Sequence, residues 1–347
     1  MNNNTVYTTV LLDIVSNYQY IIVVIVCSVS WIILSLLGIA SNMINIITFV
    51  AMGLNDGVTV SFLALSFFDL MYVIASFCLG LASALGTVEV LTLTRYAVDP
   101  YGLSVLVANI MILLIVTNVL ATTFIAVARC MCVVKPLQFK NTFTVLRTVY
   151  FMAGFAIFAV AIYTPILANM GMVTGFDNTT KRYRTSLWLP RHREAIKNVI
   201  FVIIDLLLPV STQVIVVFCI VLMANSLQAS SRFRQTSKIQ TCNKETSISF
   251  KENASDSDRL SGKERRVINQ VIVISVVYII CNTPKILISV ANVTEAEFRI
   301  GRRYHNFYLV INFFRKHLEI FNATINTFIY FKYNNKFRNT VVSKWNL

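Results

Sequence analysis

Seven long apolar runs, divided by polar stretches, follow one another along this chain at residues 20–52, 58–85, 102–134, 145–172, 195–227, 266–290 and 306–331. Each exceeds the roughly 20 residues that an α-helix needs to cross the hydrocarbon of a bilayer. The pattern predicts an all-α membrane protein, a seven-transmembrane helix bundle over residues 20–331. Seven crossings put the two ends of the chain on opposite faces of the membrane. Residues 1–19 form a polar tail without a basic residue, and the run 21–40 is too long for the apolar core of a secretory leader, so it reads as the first membrane helix. Residues 228–262, rich in Ser, Thr and Asn, read as a disordered or extended loop, either a plain tether or one whose hydroxyls a kinase uses. Residues 332–347 alternate Phe337, Val341, Val342 and Trp345 with Lys and Arg, which predicts a short amphipathic helix on the bilayer surface.

Composition agrees with a chain that lives in lipid: 56% of residues are hydrophobic, 13% are charged, and mean hydropathy is +0.68. A net charge of +14 would point to nucleic acid in a soluble domain, but here the basic residues flank apolar spans, where headgroups explain them and no nucleic acid is needed. The basic loop 228–262 and the tail, with Lys332, Lys336, Arg338 and Lys344, are assigned to the inside, and the N-terminus to the outside. Sequons at Asn3, Asn178 and Asn292 then lie outside as expected glycosylation sites. Seven scattered cysteines, none in an outer loop and none at metal-ligand spacing, predict no structural disulfide and no zinc site. No Ser-His-Asp or Cys-His arrangement appears, so no enzymatic activity is expected.

Polar residues inside the spans carry the chemistry, because each costs free energy in hydrocarbon unless it meets a partner. They are Asn42, Asp69, Asn118, Arg129, Asn282 beside Pro284, and Glu319, Asn322 and Asn326 in the last span. Asn322, Asn326 and Tyr330 stand four residues apart and share one helix face.

In this order, the motifs resemble those of rhodopsin-like G-protein-coupled receptors. The match comprises Asn42, the pattern LALSFFD ending at Asp69, RCMCVVKP from Arg129 to Pro136, Pro209, Pro284, Asn326 to Tyr330, and Phe337, and it covers nearly the whole chain. The stretch RCMCVVKPLQFKNTFT is similar to expanded chemosensory receptors of molluscs. There are departures. The family's Asp-Arg-Tyr is Ala128-Arg129-Cys130, its Cys-Trp-x-Pro is Cys281-Asn282-Thr283-Pro284, and Thr327 replaces the proline of Asn-Pro-x-x-Tyr. Ser104 stands where the family has a disulfide cysteine, and the following outer loop, 170–194, has none to pair with it.

The resemblance implies roles for these residues. Asp69, Asn118, Asn322 and Asn326 fall where the family gathers oxygens around a sodium ion, the only cofactor expected; a hydrogen-bonded polar core is the alternative. Arg129 falls on the family's contact with the heterotrimeric G protein, and Glu264 falls where an acid can hold that arginine in the resting state. Loss of the neighbouring acid at Ala128 implies a less restrained Arg129 and some basal signalling. Asn282, Pro284, Asn326 and Tyr330 complete the activation switch, and without a proline at Thr327 the last helix is expected to kink less.

At the ligand end, Met111 replaces the aspartate of amine receptors and Ile320 the retinal-binding lysine of opsins. What remains at pocket depth is charged: Asp205, Lys285, Arg315, Lys316 and Glu319. These residues either clamp a small anion or amino-acid-like zwitterion, or pair internally, Asp205 with Lys285 and Lys316 with Glu319. The expectation is a plasma-membrane receptor for a small extracellular ligand, with a chemosensory role and a G-protein partner. A neuropeptide receptor is the alternative, and a transporter a further one, against which stands the absence of an internal repeat.

Overall fold

The computed structural model describes residues 13–135, 139, 142–178, 181–190, 193–242 and 262–345, with only the backbone described for 194, 227–242 and 262–267. The first four helices begin at caps written in the sequence. Ser16 opens α1 (Asn17–Met52) with a capping box to Gln19, and Gly53, at φ 85°, ends it. Asp56 caps α2 (Gly57–Thr92), accepting from the Thr59 amide at 2.7 Å. Asp99 caps α3 (Pro100–Val134), whose first residue is proline, and Thr144 caps α4 (Val145–Leu167).

After α4 the chain leaves helical geometry. Two strands, β1 (Gly171–Asp177) and β2 (Arg182–Trp188), pair antiparallel in a hairpin where the hydropathy pattern predicts the end of a span and a solvated loop. The next crossing combines α5 (Arg193–Phe201), a π-helical segment (Val202–Leu207) and α6 (Leu208–Cys242). Because α6 continues to Cys242, the loop expected to be extended from residue 228 starts as helix; residues 243–261 lie outside the described residues. Then come α7 (Gly262–Thr294), α8 (His305–Tyr333) and α9 (Asn335–Trp345).

Six crossings are long and apolar enough to span a membrane by length and composition. The seventh helix, α8, has the length, but Arg315, Lys316, His317 and Glu319 lower its apolarity. It is held in the bundle by polar contacts instead. Asn42 of α1 donates to the Ala323 carbonyl at 2.9 Å, and Ser41 donates to the Thr324 carbonyl at 2.8 Å. Thr327, the residue in the proline position, gives its hydroxyl to the Ser41 carbonyl and Asn45 at 3.0 and 2.8 Å. A proline there would carry no hydroxyl for α1. Gly38 lets the helices approach this closely, since a Cβ on it would lie 2.7 Å from Thr324 and 2.9 Å from Val73.

The surface helix α9 anchors through Phe337, which is fully buried against Phe49 and Tyr330, while Lys336 bonds the Met52 carbonyl at 3.0 Å. At the opposite end, Asn306 ties the start of α8 to Val15 and Asn17 at 3.0 and 2.9 Å.

Candidate functional site

The half of the bundle nearer the hairpin contains a connected set of buried charges. Lys285 of α7, with its side chain 5% exposed, meets Asp205 at 3.0 Å. Asp205 reaches it from the π-helical segment, an irregularity that recurs at functional sites. On α8, Glu319 is 4% exposed and uses both oxygens: one pairs with Arg315, and the other accepts the Tyr72 hydroxyl at 2.6 Å. Arg315 extends the set by donating to Asn312 at 3.2 Å. The expected pair between Lys316 and Glu319 is not formed. Arg315 takes that place from one turn away, and the Tyr72 hydroxyl occupies the remaining oxygen.

Lys316 is therefore left over. It lies in the field of Arg315, Glu319, Lys285 and Asp205, yet its amine makes no hydrogen bond or ion pair among the described residues. Met111 is buried nearby on α3 and takes a 3.9 Å contact from the Ser76 hydroxyl. Beside Asp205 lies a second polar group. The Tyr163 hydroxyl and the Arg193 guanidinium both donate to Asn109 at 3.0 Å, and the Arg193 Nε is buried without a partner. Tyr163 feels both Asp205 and Arg193.

In mid-bundle, Asn326 donates to Asp69 at 2.9 Å, joining the last span to α2 as a polar core requires. Asn282 turns back onto its own helix, donating to the Tyr278 carbonyl at 2.9 Å. Among the described residues, neither Asn118 nor half-buried Asn322 bonds to Asp69, and the Asn118 oxygen is buried without a partner. A carboxylate and a free amide oxygen are donors of the type a hard cation takes. Pro284 lies inside α7, and the next residue along that helix is Lys285.

Towards α9, Arg129 makes no ion pair among the described residues, and its Nε is buried without a partner. Its guanidinium stands 5.8 Å from the centre of the Phe62 ring, which meets the Tyr330 ring at 5.1 Å with the two planes tilted by 57°. The Glu264 side chain lies outside the described residues, as does Asn3. Asn178 is exposed at the hairpin turn. Asn292 is half-buried in α7, with its amide oxygen buried.

Four contributors go unnoticed in the sequence: Tyr72, Asn109, Tyr163 and Arg184. A tyrosine in an apolar run reads as core, and only its position facing the charged span marks Tyr72. Arg184 sits in a run of basic residues that reads as solvated, yet it is 12% exposed. Burial alone would lower its pKa; bonds to Glu89 and Asp99 outweigh that and hold it above the usual value.

Seven packed membrane helices enclosing a buried charged site, with an arginine near the opposite end, define a multi-pass membrane receptor. The chain belongs to the rhodopsin family of 7 transmembrane receptors, whose model matches residues 43–330. This is a family of receptors and not of enzymes. No curated protein matches the chain.

The Asp205–Lys285 pair yields a direct test. Removing one partner strands a buried charge, whereas removing both does not. Thermal denaturation of the purified receptor is expected to show Asp205→Asn and Lys285→Met each destabilising, with a coupling of roughly 0.5–3 kcal/mol in the double variant. Additive losses would show that the two groups act separately.

Proposed function

We propose that this receptor binds a small anionic or amino-acid-like ligand in the charged half of its bundle, with the hairpin facing the outside and the N-terminus on that side. Ligand binding activates a heterotrimeric G protein at the α9 end, in a chemosensory role. Lys316 carries this proposal. Among the described residues, the carboxylates that face Lys285, Arg315 and Lys316 are those of Asp205 and Glu319, and both are already taken. A cation kept at this depth without a counter-charge is costly, and a ligand carboxylate would supply one. A zwitterion could in addition exchange with the Asp205–Lys285 pair, its ammonium on Asp205 and its carboxylate shared by Lys285 and Lys316. Since Asp205 and Lys285 belong to different spans, the exchange would reach the fifth and sixth crossings together.

Three measurements test this. Cells expressing the intact chain are screened with the common amino acids and simple mono- and dicarboxylates, reading cyclic AMP and calcium. An active compound should lose potency about tenfold or more in Lys316→Met at equal surface expression, the effect of losing a charge-assisted bond. Retained potency in that variant rules out the assignment of Lys316.

The loss of the acid at Ala128, with no ion pair to Arg129 among the described residues, supports basal signalling. Ala128→Asp is expected to lower it and Glu264→Ala to raise it, read as ligand-free second messenger; no change in either variant counts against the idea.

Asp69 and the free oxygen of Asn118 are the groups that would hold a sodium ion, which would steady the resting arrangement. Replacing sodium by N-methylglucamine is expected to raise agonist affinity in the wild type and to have no effect in Asp69→Asn. Equal behaviour of the two proteins would leave the Asn326–Asp69 bond as a polar core alone.

A further inference from the structure

The hairpin is fastened to the bundle at one place by several different means. Arg184 of β2 forks, with one nitrogen 2.7 Å from Glu89 in the last turn of α2 and the other 2.9 Å from Asp99 at the head of α3. Beside the fork the backbone joins in: the Asp99 amide donates to the Thr185 carbonyl, and the Thr185 amide to the Ala97 carbonyl, both at 2.8 Å. Three residues further along β2, Leu187 presses on α3 at Gly102, where a Cβ would lie 2.8 Å from that of Leu187. No cysteine occurs in residues 170–194, so nothing covalent holds this strand.

The strand reaches the charged site through one apolar cluster. Leu187 packs in the same cluster as Met170 and Tyr163, and the Met170 sulfur contacts Arg193 at 3.6 Å. Arg193 and Tyr163 share Asn109 beside Asp205.

We infer that Arg184 is the positioning residue of the charged site: seated on Glu89 and Asp99, it fixes β2 so that Leu187 and Met170 hold Arg193 and Tyr163 in place. An arginine suits the task because its planar fork can satisfy two carboxylates on two different helices, which a lysine ammonium does with less geometric control. The inference concerns how the site is built and stands whether or not the ligand is an anion.

The test uses the full-length receptor in lipid nanodiscs and needs no ligand. Hydrogen exchange is followed at the Asp99 and Thr185 amides, and phenylglyoxal modification is followed at Arg193 by mass spectrometry. Arg184→Gln should speed exchange at both amides about tenfold, as loss of charged hydrogen bonds implies, and raise Arg193 modification severalfold, while amides within α3 stay protected. Arg184→Lys should recover part of both effects. Adding Glu89→Gln to Arg184→Gln should change little, because with the guanidinium gone Glu89 keeps only the long, largely exposed contact to Arg95 at 4.0 Å among the described residues. A phosphine reductant should change nothing in the wild type. The inference is overturned if exchange in Arg184→Gln matches wild type, if Glu89→Gln adds its full effect, or if Arg193 stays protected while the hairpin loosens. Loosening by the reductant would overturn it as well.

Discussion

A polar group placed in hydrocarbon has only protein or trapped water to turn to, and α8 is organised by that constraint. Along it, Glu319 turns to Tyr72, Asn326 to Asp69, and Thr327 to Ser41 and Asn45. Each bond fixes the rotation of α8 against α1 or α2, so the least apolar crossing is tied into the bundle by polar contacts. These bonds are directional where apolar packing is not. A helix seated by hydrophobicity alone could rotate in place, whereas this one would have to leave several groups unsatisfied.

The same constraint divides the molecule along its length. Near the hairpin, Lys285, Arg315 and Arg184 are matched to carboxylates, while Lys316 and Arg193 have none among the described residues. Near α9, the unspent groups are the Arg129 Nε, the Tyr330 hydroxyl and both amide atoms of Gln270, all buried without a partner. Unsatisfied buried groups at both ends, the Arg193 Nε near the hairpin among them, are features of a molecule that has more than one arrangement to choose from. Between them run Pro284, the Asn326–Asp69 bond and the rings of Tyr330, Phe62 and Phe337.

Much of this is legible in the sequence because membrane spans announce themselves by length and polarity. The seven crossings, Asp69 with Asn326, and Asp205 with Lys285 can all be read from hydropathy and motif order. The hairpin is harder to see. Its alternation, Tyr183, Thr185 and Leu187 on one face, is only a few residues long and is masked by arginines that look solvated. The partner of Glu319 is misread for a different reason: Arg315 and Lys316 are both within reach along the helix, and side-chain direction, which spacing does not reveal, selects the arginine. The loop 228–262 looks extended by composition, but its first part simply continues the helix of the preceding span.

The π-helical segment of the fifth crossing has a consequence of its own. Its hydrogen bonds span five residues instead of four, so the helical phase of Arg193–Phe201 differs from the one a regular helix would impose above α6. Rewinding the segment to α-geometry at constant length would turn everything before it by about 100°, one residue's rotation. Arg193 would then leave Asn109, while Pro209 and the rest of α6 kept their places. The angular setting of the entrance is thus carried by the wide turn itself, independent of which side chains line it.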